Sequence, residues 1–253
     1  MENIIAVDIG GTNSRFAHFT VDNNGGLSCV GTVKLKTAST SSLDDLIDRA
    51  LASGSIPAGV HWNTVVLAVP GAVKENTYAS LANVPWEVDV SGLRVRWGAT
   101  RIFLINDFVA QAFACPLAKR LETETVQTGV AEPRAAMAVV GAGTGLGHCA
   151  LVATDGGDFL PLPSEAGHAA FPFYGKTETA YRDFLMERTG AEYPYGDIVV
   201  SGPGLTNLHA FLTGREIPPK DIVAEIAPES ETTVLFARFY ARACRNYALT
   251  VLA

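Results

Sequence analysis

Two glycine turns, each following an apolar run, hold most of the chemistry legible in this chain. The first is Asp8-Ile9-Gly10-Gly11-Thr12-Asn13, after Ile4-Ile5-Ala6-Val7. The second is Gly141-Ala142-Gly143-Thr144-Gly145-Leu146-Gly147, after Met137-Ala138-Val139-Val140. Glycine reaches positive φ and lets a phosphate oxygen come close to backbone N–H groups. The hydroxyls of Thr12 and Thr144 add a donor to each turn. Asp8 repels a phosphate directly, so its place beside the first turn makes sense with a hydrated Mg²⁺ between them. Such a pair, one turn near the N-terminus and one past the middle, points to two lobes presenting N–H groups to one phosphate chain. Two ordinary glycine hairpins are the plainer alternative, but turn chemistry alone leaves the Asp and Thr placements unexplained.

Other phosphate motifs do not fit. A dinucleotide fingerprint needs G-x-G-x-x-G opening a helix, whereas His148–Ala153 after the second turn reads as a strand. No G-K-[ST] occurs, which excludes a Walker loop. Three further groups could act on a bound molecule. Asn106-Asp107 closes the apolar run Arg101–Ile105 at a helix start. At a strand's carboxyl edge Asp107 could take a proton from a hydroxyl, or it could simply cap the helix. Glu165 and His168 stand three apart around Gly167. Together they could grip neighbouring hydroxyls of a polyol, or be a surface Glu and a packed His. Asp197 precedes Ser201-Gly202-Pro203-Gly204, whose free N–H groups suit either an anion or a plain helix entry.

Composition narrows the class. The 253 residues are 48% hydrophobic and 18% charged, as in a well-buried globular protein. A net charge of −7 disfavours nucleic acid and anionic membranes as partners. No apolar stretch is long enough to span a bilayer, and Met1-Glu2-Asn3 lacks the basic start of a secretion signal, so a cytoplasmic protein is expected. Cys29, Cys115, Cys149 and Cys244 are scattered, which argues for buried free thiols rather than zinc or disulfides.

The elements that must position these residues follow from patterning. Strands are predicted over Ile4–Asp8, Arg15–Val21 and Leu27–Leu35, forming a meander with a turn at Asp22–Gly26. A helix capped by Ser42 runs until Gly54, with Leu43, Leu46, Ile47, Ala50 and Leu51 on one face. Thr64–Val69 and Arg101–Ile105 read as buried strands, and Phe108–Leu121 as a helix near a lobe boundary. Strands at Ala136–Val140 and Leu146–Thr154 precede a hairpin turn at Asp155–Asp158. Helices are predicted over Glu178–Arg188, Leu205–Leu212 and Glu231–Ala253, and Asp197–Val200 is short and apolar.

Taken in order, the motifs resemble the zinc-free branch of bacterial-type glucokinases, in the hexokinase, actin and Hsp70 ATPase superfamily. The matching stretches are Asp8–Asn13 with Arg15, Asn83-Val84-Pro85-Trp86, Ile105–Phe108, Gly141–Gly147, Glu165–His168 and Ser201–Asn207. The resemblance implies an α/β, two-lobed actin-like ATPase (ribonuclease H-like) fold with a cleft between lobes, divided into 1–110 and 111–253. It implies ATP and Mg²⁺, glucose or a related hexose as partner, and room for a homodimer. Asp8 would hold the Mg²⁺ through water. Gly10, Gly11, Thr12 and Asn13 would cradle phosphates, as would Gly143, Thr144 and Gly145. Asn106, Asp107, Glu165 and His168 would bind the sugar, with Asp107 as general base. Asp197 falls where the family has a third sugar-binding acid, usually Glu, and Ala166 where glycine is common. The activity implied is phosphorylation of the glucose 6-hydroxyl. Alternatives are a kinase for another hexose, or a catalytically weak sugar-binding or regulatory protein. The family continues into a glycine-rich adenosine-binding strand-turn, so the apolar helix ending at Ala253 reads as one cut short.

Overall fold

A computed structural model describes residues 1–81, 84–120, 123–130 and 132–253. Asn83 and Leu121, both used in the sequence reading, lie outside these residues. Contacts divide the chain into two compact units, Met1–Ala110 and Gln111–Ala253.

The first unit opens with the expected meander of β1 (Glu2–Ile9), β2 (Asn13–Val21) and β3 (Leu27–Lys36), antiparallel throughout. The turn between β2 and β3 forms because Asp22 Oδ1 accepts the N–H groups of Asn24 and Gly26, both at 2.8 Å. Those two bonds hold the Asp22 carboxyl below its ordinary pKa. Next, α1 (Leu43–Ala52) starts where Ser42 Oγ accepts the Asp45 N–H at 3.0 Å. It buries Leu43, Leu46, Ile47 and Ala50.

A parallel strand, β4 (Thr64–Val69), then lies beside β1. A small sheet of β5 (Val73–Lys74), β6 (Tyr78–Ser80) and β7 (Glu87–Asp89) follows, with one helical turn, α2 (Leu93–Arg96). Finally β8 (Arg101–Asn106) pairs parallel with β4, completing the order β3-β2-β1-β4-β8. Ile5, Ile9, Phe16, Val65, Leu67 and Leu104 form the core against α1.

The helix after β8 is shorter than patterning suggests. α3 (Asp107–Ala114) gives way to a 3-10 turn over Cys115–Arg120. Pro116 explains the break, since it has no N–H to continue the α ladder. In the second unit, β9 (Met137–Ala142), β10 (Leu146–Ala153) and β11 (Phe159–Ser164) make an antiparallel sheet. The helices α4 (Gly175–Thr189), α5 (Gly196–Val199), α6 (Gly202–Thr213), α7 (Pro219–Glu225) and α8 (Glu231–Val251) follow. The short apolar run at 197–200 is thus mostly a helical turn, and α7 had no counterpart in the sequence reading. Gly190 and Gly214 close α4 and α6 at φ of 65° and 72°, which only glycine adopts cheaply.

The core of this unit is aromatic. Tyr181 stacks on Phe239 at 5.8 Å, and Phe171, Phe173 and Phe211 surround them. On α8 the core-facing residues are Leu235, Phe239, Ala243 and Tyr247, each four apart. Val234 and Leu249, apolar in the same pattern, are exposed. The cysteines correct another expectation. All four are free, but Cys29 and Cys115 are exposed, and Cys244 is half-buried. Cys29 lies on the edge strand β3, and Cys115 opens the surface 3-10 turn. Among the described residues no helix is long and apolar enough to cross a membrane.

Candidate active site

Each unit holds its own set of candidate residues. In the first, they line the carboxyl ends of the parallel strands. Asp8 is opposite Ala68 of β4, and Val69 is opposite Asn106 of β8. One strand separates the two groups, about 10 Å at ordinary strand spacing. The turn after β1 is tight, with the Gly10 N–H donating to Asn13 O at 3.1 Å. A β-carbon on Gly10 would stand 2.9 Å from that same oxygen, so the position excludes other residues. Thr12 projects into solvent, while its carbonyl accepts the Thr37 N–H at 3.0 Å. The hydroxyls of Ser14 and Thr37, both fully buried, meet at 2.7 Å. Thr37 thus fixes the turn from 25 residues away in sequence, and no local pattern marks it. Asp8 is exposed, 3.3 Å from Arg15 across the β1–β2 ladder.

The helix start at Asn106-Asp107 resolves one ambiguity. Asn106 is the cap, its Oδ1 accepting the N–H groups of Phe108 at 2.9 Å and Val109 at 3.3 Å. Its Nδ2 donates to Gly71 O at 3.0 Å, tying the end of β8 to the Pro70-Gly71 turn after β4. Asp107 is the first helical residue, half-buried, and its Oδ1 accepts the Phe108 N–H at 2.9 Å. The capping role that could have explained Asp107 away belongs chiefly to its neighbour.

In the second unit the glycine hairpin, the Glu165–His168 loop and Asp197 come together. The hairpin closes with the Gly143 N–H on Gly145 O at 2.8 Å. Gly143 O in turn accepts the N–H of Gly202, at the start of α6, at 2.8 Å. Ser201 Oγ accepts the Gly204 N–H at 3.1 Å. At the α6 N-terminus the Gly202 N–H thus props the hairpin, while the Gly204 N–H is taken by the Ser201 cap, as in an ordinary helix entry.

The Glu165–His168 loop contains a 3-10 turn over Ala166–His168. Both side chains are exposed and close, with His168 Nε2 3.8 Å from Glu165 Oε2. Tyr193 donates its hydroxyl to His168 O at 3.2 Å. Ala166 has no positive φ and gives its N–H to Ser164 Oγ at 3.2 Å, so alanine sits here without backbone strain. Asp197, half-buried, accepts the Leu146 N–H on Oδ1 at 2.8 Å. His148 donates from Nδ1 to the Leu146 carbonyl at 3.0 Å, and burial lowers its pKa despite that bond.

The chain matches the glucokinase family over residues 5–253. It belongs to that family. It is 33% identical over 247 residues to a glucokinase of Xanthomonas euvesicatoria, covering 91% of this chain and 71% of that protein. A glucokinase of Nostoc sp. is 30% identical over 217 residues, covering 86% of this chain. The chain spans 62% of the length of that Nostoc relative. Among solved structures, a glucokinase from an Antarctic psychrotroph superposes at TM-score 0.74 with 24% identity, covering all of this chain and 80% of that one. The glucokinase of Balamuthia mandrillaris gives 0.78 at 21% identity, covering 99% and 77%. A ROK hexokinase from Thermus thermophilus gives 0.63 at 17%, covering 98% and 78%. The fold is that of the two-lobed actin-like ATPases. Among the described residues, no group of three or more His, Cys, Asp and Glu could hold a metal ion by itself.

Proposed function

We propose that this chain carries out ATP-dependent phosphorylation of glucose at its 6-hydroxyl. The observation that carries the reading is membership of the glucokinase family across residues 5–253. The Balamuthia mandrillaris glucokinase was solved in complex with glucose, which supports a hexose as acceptor here. In this reading Asn106, Asp107, Glu165 and His168 hold the sugar. Asp107 accepts the 6-hydroxyl proton as that oxygen attacks the γ-phosphorus and the bond to the β-phosphate oxygen breaks, releasing ADP. The N–H groups of Gly11, Thr12 and Asn13, and of Thr144 and Gly145, neutralise charge on the phosphates, while Gly10 and Gly143, whose own N–H groups close the turns, leave room for the phosphates to approach.

The exposed Asp8 carboxylate fits Mg²⁺, which commonly takes one carboxylate and draws its other ligands from phosphate and water. Bound there through water, the ion would supply further charge neutralisation to the phosphates. The reaction belongs to the cytoplasm, where ATP is abundant.

The test is a coupled assay of glucose-dependent ADP release, with calorimetry of glucose binding. Asp107→Asn is expected to cut kcat by about 10²–10⁴-fold while glucose still binds. Full turnover in that variant would overturn the assignment of the base. Glucose binding without ADP release in the unaltered chain would overturn the activity itself.

A further inference from the structure

Asp197 is half-buried and packed against backbone from two segments. Its carboxylate is lodged between two glycine α-carbons from different segments. A β-carbon on Gly145, in the hairpin, would stand 2.9 Å from Asp197 Oδ2. A β-carbon on Gly167, in the Glu165–His168 loop, would stand 2.3 Å from Asp197 Oδ1 and 2.3 Å from Leu146 O. Oδ1 also accepts the Leu146 N–H at 2.8 Å. Leu146 therefore has its N–H held by Asp197 and its carbonyl by His148. Behind the loop lies a cavity of about 100 Å³, lined in part by His148, Ala166, Ala169, Gly196 and Tyr247. The loop has room to shift into that space once its contact with Asp197 is lost.

We propose that Asp197 is a positioning residue that clamps the phosphate hairpin (Gly143–Gly145) to the sugar loop (Glu165–His168). The link to catalysis rests on the kinase reading above; the clamp itself does not. A carboxylate of aspartate length fills the gap between Gly145 and Gly167. One more methylene would drive the oxygens into backbone atoms that cannot move independently. The shorter acid is thus suited to bonding backbone. Its loss would loosen two substrate-binding segments together, where a sugar ligand's loss would weaken sugar binding alone.

Three variants separate these roles. Asp197→Asn keeps an oxygen for the Leu146 N–H, Asp197→Glu lengthens the side chain, and Asp197→Ala removes it. Hydrogen exchange is read on peptides covering 143–147 and 165–168 in the unliganded protein. Asp197→Ala is expected to raise exchange in both together by roughly ten- to a hundredfold, the worth of a hydrogen bond to a charged group. Asp197→Glu raises both as well, Asp197→Asn, whose neutral oxygen is a weaker acceptor, raises both by less than Asp197→Ala, and peptides from α4 and α8 stay unchanged. In the kinetic assay Asp197→Ala and Asp197→Glu raise KM for glucose and for ATP in parallel, and Asp197→Asn raises both in parallel by less.

The proposal is overturned if either segment's exchange is unmoved in Asp197→Glu, or if Asp197→Asn raises KM for glucose alone. If Asp197→Ala does not fold, the contrast between Asn and Glu decides. A chain that phosphorylates no hexose refutes the kinase reading, and the exchange measurement still tests the clamp.

Discussion

The ion pair between Glu178 and Arg242 offers a test of how the second unit is held together. Glu178, near the start of α4, is almost fully buried, with a side chain 6% exposed. It accepts Arg242 Nη1 at 2.7 Å, Arg242 Nη2 at 3.0 Å and the Tyr174 N–H at 2.7 Å. Arg242, on α8, also donates to Pro172 O at 2.8 Å and lies over the Tyr174 ring at 4.7 Å. Arg242→Met leaves a buried carboxylate with one backbone donor and with Arg238 3.9 Å away. Breaking one side of a buried pair costs about 3–5 kcal/mol, and the nearby exposed Arg238, a second cation for the carboxylate, places this case near the lower end, about 3 kcal/mol. Glu178→Leu with Arg242→Met removes both charges and orphans the Tyr174 N–H and the Pro172 carbonyl, two neutral groups rather than a buried carboxylate, so it is expected to cost less than Arg242→Met alone.

Burial raises the Glu178 pKa, but its bonds to Arg242 and Tyr174 outweigh burial, and the net shift is downward. A lowered native pKa stabilises the fold above the unfolded value, near ~4.3. That stability is lost as pH falls through the native pKa. The advantage of the unaltered chain over Glu178→Gln should therefore be full at neutral pH and shrink only below the ordinary glutamate range. The assay is urea unfolding read by helical circular dichroism. Tryptophan fluorescence serves as a companion signal, since Trp62, Trp86 and Trp97 all lie in the first unit. A cost under about 1 kcal/mol for Arg242→Met, or a double variant as unstable as the two singles summed, would refute the reasoning.

Three further predictions concern the segments that form the candidate site. Thr37→Val should cost about 1–3 kcal/mol by orphaning the buried Ser14 hydroxyl. Adding Ser14→Ala should recover part of that loss, measured by tryptophan-detected urea unfolding. Gly167→Ala forces a methyl against Asp197 and the Leu146 carbonyl, so it should lower stability by about 1–3 kcal/mol and raise KM for glucose. Gly143→Ala meets open space. It should melt like the unaltered chain yet raise KM for ATP, and an unchanged KM would remove that turn from the phosphate site.

What the sequence made legible was local. The β1–β3 meander, the Ser42 cap, the Asp22 turn and the Gly54 stop each depend on residues within a few positions of one another. Asn106-Asp107 was found, but which of the two caps α3 depended on side-chain direction. The early end of α3 is written in Pro116, whose effect the apolar pattern around it masks. The small sheet of β5–β7 escaped because its strands are two or three residues long, too short for alternation to register. Thr37 and Asp197 were opaque for another reason. Their partners, Thr12 and Leu146, are 25 and 51 positions away, and only the folded chain brings them together.

The bonding of Asn106 has a consequence for the direction of hydrogen bonds at the sugar. Its oxygen is committed to two helix N–H groups and one amide hydrogen to Gly71. What remains for a ligand is a single hydrogen to give. An ionised Asp107 next to it can only receive. Hydroxyls held by this pair are polarised one way, taking a hydrogen from the amide and surrendering one to the carboxylate. In the proposed reaction, the backbone that ends β4 thereby sets which way a proton runs at the end of β8.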